Sequence, residues 1–345
     1  MLPEVGEVAL VRNQNGWEKI MHISVITPTY KRPKTLLLHL RSLQEQTLSS
    51  FEIIVVDNAA DAEIERIVAE FNRTARLPVR YVPEPRLGVV YARHAGARAA
   101  GGNILVFLDD DETADPALIQ AYANAFTDHP EMAAAGGPIR LVWESPPPKW
   151  VIEYIGQAKM FPLLGLVDVY DKFRLDPKGF LFSGNMAIKR EVLFQVGGFN
   201  PELVGDLYFG DGEVGLYQKL WQHKMLIGYV PEALIYHYIP PQRMTVDYFC
   251  RRMANEGAAE MYTLYHPGIP DRLRLFKHAA AITAKNSKCW LGARLLRGRT
   301  DRRSVDVQMH AARTQSQVKY LSRLMFDKEL RSLVLKKDWL NESYA

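Results

Sequence analysis

The chain has 345 residues, 48% of them hydrophobic, enough core-forming material for one large or two average domains. Its formal charge of +4 is unevenly spread: residues 271–345 hold 17 Lys and Arg against 7 Asp and Glu, net +10, which leaves about −6 on residues 1–270. Cys250 and Cys289 stand outside any CxxC or Cys/His spacing, which excludes a disulfide scaffold and a zinc site, and no run of 18 apolar residues marks a membrane span.

Residues 1–21 read as an N-terminal extension without a clear period or the basic-then-apolar order of a signal peptide, and Met21 could serve as a translation start. The first strand signal is Ile23 to Thr27. It runs into Pro28-Thr29-Tyr30-Lys31-Arg32-Pro33, after which Leu36, Leu40 and Leu43 recur at helical spacing. A polar turn between a strand's C-terminal end and a helix's N-terminus suits an anion, and Lys31 and Arg32 add charge. An ordinary basic loop is the plainer alternative.

A second unit follows, with Phe51 to Val56 as strand, Asp57-Asn58 at its end, and Ile64, Ile67, Val68 and Phe71 as the apolar face of a helix. Asp57 could accept from a base or ribose, or could cap the next helix. Val79 to Val82 leads through Gly88 to a helix whose Ala92, Ala95, Ala97 and Ala99 allow close packing on a sheet. Arg93 on that helix could reach a diphosphate or form a surface ion pair.

The fourth strand, Ile104 to Leu108, ends in Asp109-Asp110-Asp111-Glu112. Adjacent carboxylates repel unless a cation lies between them, and Mg²⁺ and Mn²⁺ take oxygen ligands, so a metal carrying a phosphorylated ligand is expected. A solvated strand end is the alternative, with Asp115-Pro116 capping the helix that follows. Successive βα units predict an α/β, doubly wound, mostly parallel sheet with ligands at its carboxyl edge. GxGxxG and GxxxxGK[ST] are both absent, which excludes a standard dinucleotide fold and a P-loop.

After residue 130 the regular order fades. Trp143, Trp150 and Tyr154 lie in an aromatic stretch that could stack on sugars or pack in the core. Phe180 to Ile188 reads as a strand kinked at Ser183-Gly184-Asn185, and Phe209-Gly210-Asp211-Gly212-Glu213 opens a helix. Two more strands are expected at Leu226–Val230 and Ala233–Tyr238. Beyond Asp247 the chain reads as helical, Val318, Leu321 and Met325 packing on the body.

Val25 to Arg32, Ile54 to Asn58, Gly88 with Ala92-Arg93, and Phe107 to Glu112, in this order and spacing, make residues 22–260 resemble family 2 glycosyltransferases of the GT-A fold, similar to bacterial exopolysaccharide transferases of the succinoglycan type. The resemblance implies a Rossmann-like sheet divided into a nucleotide-sugar half over 22–130 and an acceptor half over 131–250, with a basic helical extension over 251–345. It implies that Pro28, Thr29, Tyr30, Arg32, Asp57, Arg93, Asp109 and Asp110 bind the nucleotide, usually UDP. Asp111, with Asp109 and His237, would hold Mn²⁺ or Mg²⁺. Gly184, Asn185 and Trp143 would face the sugars.

Inverting relatives carry a Glu-Asp pair where this chain has Gly212-Glu213, a departure that leaves Glu213 or Asp211 as candidate base. The expected partners are a nucleotide-sugar donor, a glycan or lipid-linked saccharide acceptor and, through the basic tail, an anionic membrane surface. No nucleic acid is expected, since the tail lacks a binding motif for it. The expected location is the cytoplasm, at the inner face of the cytoplasmic membrane. A nucleotidyltransferase and a catalytically impaired sugar-nucleotide binder are the alternatives.

Overall fold

A computed structural model describes residues 10–13, 16–19, 21–204 and 207–341. The chain winds through β1 (Ile23–Thr29), α1 (Pro33–Gln44), β2 (Phe51–Asp57), α2 (Ala62–Phe71), β3 (Val79–Pro83), α3 (Val89–Ala99) and β4 (Ile104–Leu108). These four strands run parallel. Their side chains alternate between two apolar layers, as a strand's two-residue period requires. Ile23, Val25, Ile53, Val55 and Val106 pack with Leu36, Leu40 and Leu43 of α1, whereas Ile26, Ile54, Val56 and Phe107 pack with Val90, Ala92 and Ala97 of α3.

Past β4 come β5 (Glu112–Ala114), α4 (Leu118–Asp128), β6 (Met132–Gly136), β7 (Ile139–Trp143), α5 (Lys149–Ile155), β8 (Leu166–Val167), β9 (Arg174–Asp176), β10 (Asn185–Lys189), α6 (Arg190–Gln195), α7 (Gly212–Gln222), β11 (Leu226–Tyr229) and β12 (Ile235–Ile239). The main sheet has eight strands in the order β9-β11-β6-β10-β4-β1-β2-β3. β10 runs antiparallel to both neighbours, β4 and β6, and β9 is antiparallel to β11, so the sheet is mixed but mostly parallel. A smaller sheet sets β12 between β5 and β7 and continues through β8 to Met160–Phe161. It brings β12 against the chain that leaves the carboxylate edge.

The C-terminal helices are α8 (Val246–Tyr265), α9 (Arg272–Leu295), α10 (Arg302–Phe326) and α11 (Lys328–Leu335). Thr245, Asp271, Asp301 and Asp327 each accept a backbone N–H of the helix they precede, which is why the helices start there. α10 lies between α8 and α9. Val318, Leu321 and Met325 do pack inward, with Tyr262 and Phe209. The end of the chain returns to the sheet domain, where Trp339 and Leu340 donate to the Gly197 carbonyl. Among the described residues no helix is long and apolar enough to cross a membrane.

Three local expectations are corrected. Leu10–Asn13 pairs with Gly16–Lys19 as a hairpin where no period was expected. α4 begins at Leu118 rather than Pro116, because Asp115 spends its side chain on the turn before the helix, accepting from Ala117 N–H at 3.0 Å. Phe180 to Gly184 is not strand: pairing starts at Asn185, after a turn closed by Asn185 N–H on the Phe182 carbonyl at 3.0 Å.

The small residues of α3 set its distance from the sheet. A Cβ on Gly96 would overlap the Ile26 methyl and come within 3.1 Å of Val56. Gly96→Ala should therefore cost about 1–3 kcal/mol of stability in urea unfolding, since overpacking outweighs the gain in helix propensity. Unchanged or increased stability would contradict this packing.

Candidate functional site

At the end of β4 three arginines from three elements meet the carboxylates. Arg93 of α3 donates to Asp109 at 2.8 Å. Arg32, just before α1, donates to Asp110 and to Asp111, each at 3.0 Å. Arg243, in the turn after β12, donates to Asp111 at 2.6 Å. The Thr29 hydroxyl also donates to Asp110, at 2.6 Å, fixing it to the end of β1.

This charge arrangement separates the acids. Burial pushes Asp110 up to about 6, against the pull of Arg32. Burial also opposes ionisation of Asp111, but the fixed charges of Arg243 and Arg32 help outweigh it and the carboxyl lies well below its ordinary range. Burial, then the charges of Asp109 and Asp111, pushes Glu112 well above its ordinary range, and its carboxyl accepts the Asp109 N–H at 2.9 Å. A Cβ on Gly184 would overlap this Glu112 carboxyl, which is the reason for glycine there.

β12 pairs with β5 so that His237 stands opposite Glu112, and Tyr238 N–H bonds the Asp111 carbonyl at 3.0 Å. His237 Nδ1 lies 2.9 Å from the Leu164 carbonyl and takes the donor role there, so Nε2 carries the lone pair. Nε2 accepts from Arg243 at 2.7 Å and sits 3.8 Å from Asp111. His39 is built in the same way from the other side: it bridges the Thr27 hydroxyl and the Glu112 carbonyl, and burial lowers it to about 4.

Asp111 lies 3.8 Å from His237 Nε2 and both contact Arg243, while Asp109 is turned to Arg93. Among the described residues no three His, Cys, Asp or Glu side chains converge on a metal-sized position. One carboxylate, with phosphate oxygens and water completing the shell, is the usual way Mg²⁺ is held beside nucleotides, and Asp111 offers that carboxylate with the His237 imidazole alongside. The residues fit a metal on those terms. An open pocket of about 290 Å³ adjoins Asp111, lined by Arg32, Thr35, Tyr238, Arg243, Tyr248 and Arg251 among others.

Other predicted residues have local partners. Asp57 accepts from Ala59 N–H, Asp61 N–H and the Tyr81 hydroxyl, at 2.9, 2.6 and 2.9 Å, so its turn occupies both oxygens. It stands beside Thr29 in the β1–β2 register. Pro28 lies within β1, and Tyr30 is exposed under the Lys31 ammonium. Asn185 uses both amide hydrogens on the Pro138 and Ala233 carbonyls and accepts from Tyr122, tying β10 to its surroundings. Trp143 packs partly buried with Val151 and Phe249, as do Trp150 and Tyr154.

At α7 the two acids divide. Asp211 is buried and accepts from Asn200 at 2.9 Å and Thr263 at 2.7 Å, fastening the loop to α8 without capping α7. Glu213 accepts from the Ser183 hydroxyl at 3.2 Å and shares the field of Arg93. Gly212 has φ +51°, and a Cβ there would overlap the Glu202 carboxyl. Glu202 thus fills the space beside Glu213. Burial first, then the charge of Glu213, pushes it up to about 7.

Sequence reasoning missed Arg243, Arg251, His39 and Glu202. Arg243 had one signal, its place in the Pro240-Pro241-Gln242-Arg243 turn after the strand that carries His237. Glu202 had an indirect one, glycine at a position where a carboxylate was expected.

A mixed sheet of this order, with acids at the end of its fourth strand and cations gathered on them, defines an α/β protein of the GT-A class. The solved structure of the mannosyltransferase PcManGT from Pyrobaculum calidifontis in complex with GDP-Man and Mn²⁺ has the same fold, with TM-score 0.53 and 18% identity over 89% of this chain and 88% of that one. GalNAc-T7 with UDP, GalNAc and Mn²⁺ also shares it, with TM-score 0.51 and 16% identity over 73% and 51%. Residues 24–197 match the glycosyl transferase family 2 profile, and the chain belongs to that family.

The glucosyl-dolichyl phosphate glucuronosyltransferase of Haloferax volcanii is 23% identical over 257 residues, 73% of this chain and 80% of that protein. Chondroitin synthase of Escherichia coli is 26% identical over 247 residues, 64% of this chain but 35% of that protein. The chain is therefore a nucleotide-sugar-dependent glycosyltransferase.

Asp211 and Glu213 can be told apart. An asparagine at 211 keeps one acceptor oxygen for two donors, so Asp211→Asn should lower the unfolding free energy by about 1–3 kcal/mol while transfer stays within a few-fold of the parent. A stable variant that has lost turnover would assign the base to Asp211 instead.

Proposed function

We propose that the protein is an inverting, metal-dependent transferase that moves a sugar from a UDP-sugar to a hydroxyl of a growing glycan or lipid-linked saccharide in bacterial polysaccharide synthesis. The observation that carries this reading is the place of Arg93, which contacts Asp109 on the donor edge and shares its field with Glu213 on the acceptor side. The two halves of a transfer site then share one cation. Residues 22–130 would form the nucleotide-sugar half and 131–250 the acceptor half.

Asp111 and His237 would hold the metal, which when bound supplies Lewis-acid neutralisation of the leaving diphosphate. Arg32 and Arg243, already beside Asp111, would turn to the diphosphate and fix its orientation. Glu213 would take the proton of the acceptor hydroxyl as its oxygen bonds the anomeric carbon and the carbon–diphosphate bond breaks on the opposite face. Ser183 holds the Glu213 carboxylate in place. Glu202 alongside, pushed up to about 7 by burial and by the Glu213 charge, would hold a proton more readily than an ordinary glutamate and so lessen its repulsion of Glu213.

UDP as the nucleotide and a succinoglycan-type pathway rest on the family resemblance. A lipid-linked or polymeric acceptor draws support from the names of the dolichyl-phosphate and chondroitin relatives. A catalytically impaired binder was suggested by Gly212. The Glu202 carboxyl beside Gly212 weakens that suggestion.

The test begins with a thermal-shift panel of nucleotide sugars with Mn²⁺ to find the donor. Transfer by Glu213→Gln is then measured. The variant should bind the donor as the parent does and lose about 10²–10⁴-fold in turnover. Full activity would remove Glu213 from the base role.

A further inference from the structure

α9 is the outermost helix of the C-terminal bundle, and its two faces differ. The inner face is fastened to α10: Trp290 donates to the Thr314 hydroxyl at 2.8 Å, His310 and Asn286 lie 2.8 Å apart, and Leu275 and Ala279 are buried. The outer face carries Leu273, Phe276, Leu291 and Leu295, which are 61%, 59%, 62% and 76% exposed. With Ala280, Ala284 and Ser287 between them, also exposed, these residues recur at the three- and four-residue spacing of one helical stripe.

The charges on this helix are of one sign. Between Arg272 and Leu295 it carries Arg272, Arg274, Lys277, Lys285, Lys288 and Arg294 and no Asp or Glu, and Arg297 and Arg299 follow in the next turn. At 100° per residue, Lys277 and Lys288 flank one side of the stripe and Arg294 the other. Arg274 reaches its own helix cap Asp271 at 3.5 Å, and Arg272 lies over the exposed Phe326 ring at 5.8 Å. A partner for this face must therefore accept four large apolar side chains and also present many negative charges in one plane.

We propose that the outer face of α9 seats the protein on an anionic lipid surface, the apolar stripe entering the headgroup boundary and the Lys and Arg flanks meeting lipid phosphates. A folded protein partner would need an apolar groove rimmed only with acids. A bilayer offers that combination everywhere along the helix. The inference concerns a surface apart from the transfer site and does not depend on which donor or acceptor is used.

The test is co-sedimentation of the full chain with vesicles of phosphatidylcholine alone or with about one quarter phosphatidylglycerol, at about 0.1 M and 0.5 M salt. Binding to the anionic vesicles should exceed binding to the neutral ones by about tenfold or more and fall at the higher salt. A triple variant, Leu273→Ser, Phe276→Ser and Leu291→Ser, should lose vesicle binding while keeping all its charge. Lys277→Glu with Lys288→Glu, which leaves the apolar stripe intact, should lose the preference for anionic lipid.

Three results would overturn the proposal. One is equal binding to neutral and anionic vesicles, or none to either. Another is retention by the triple variant of both vesicle and heparin binding, which would make the face a general polyanion site. The last is a concentration-dependent dimer that the triple variant abolishes, which would assign the stripe to a second copy of the chain. Melting temperatures of both variants close to the parent's would show that the substitutions left the fold intact.

Discussion

Four consecutive acids at the end of a buried strand are a standing electrostatic problem, and the arrangement of this molecule follows from its solution. Asp109, Asp110 and Asp111 are each met by an arginine, brought in by α3, by the turn before α1 and by the turn after β12. Removing Arg93 or Arg32 would leave Asp109 or Asp110 without its arginine, which costs far more than a surface pair is worth. Glu112, buried beside them, is pushed well above its ordinary range and so ionises least readily of the four. The cost of gathering these charges fits the proposed site, where the arginines would exchange carboxylate contacts for a phosphorylated ligand and its cation.

The second constraint is the register of β12 against β5. It aligns His237 with the acidic edge, and the Leu164 carbonyl then fixes the ring so that Nε2 faces Asp111. Such a contact sets the tautomer of a buried histidine. On the opposite side, Asp211 anchors α7 to α8, while Glu213 accepts from the Ser183 hydroxyl. The helical extension thus supports the proposed base even though it lies outside the sheet.

What the sequence made legible was local. The βα units could be read because Val25, Ile54 and Val106 lie in apolar runs of strand length and Leu36, Leu40 and Leu43 keep helical spacing; the acidic edge could be read because it interrupts such a run. What stayed hidden depends on distant pairing. The Pro-Pro turn places Arg243 just after the His237 strand, but nothing local announces that it meets Asp111 across 132 positions. Likewise, Glu202 matters only because Gly212 leaves room for it. Asn185 was read as a sugar contact because a Ser-Gly-Asn segment resembles one, whereas its amide is taken up by carbonyls from two other segments. The reversed direction of β10 was equally unreadable, since a buried strand looks the same in either orientation.

The central claim is that Asp111, with His237 beside it, is where a cation and a nucleotide diphosphate are held together. Isothermal titration of UDP into the parent and into Asp111→Asn, each with and without Mn²⁺, tests it most directly. The parent should gain at least about tenfold in affinity on adding Mn²⁺, a gain that Asp111→Asn lacks while its metal-free binding persists. The same Mn²⁺-dependent gain in both proteins would contradict the account.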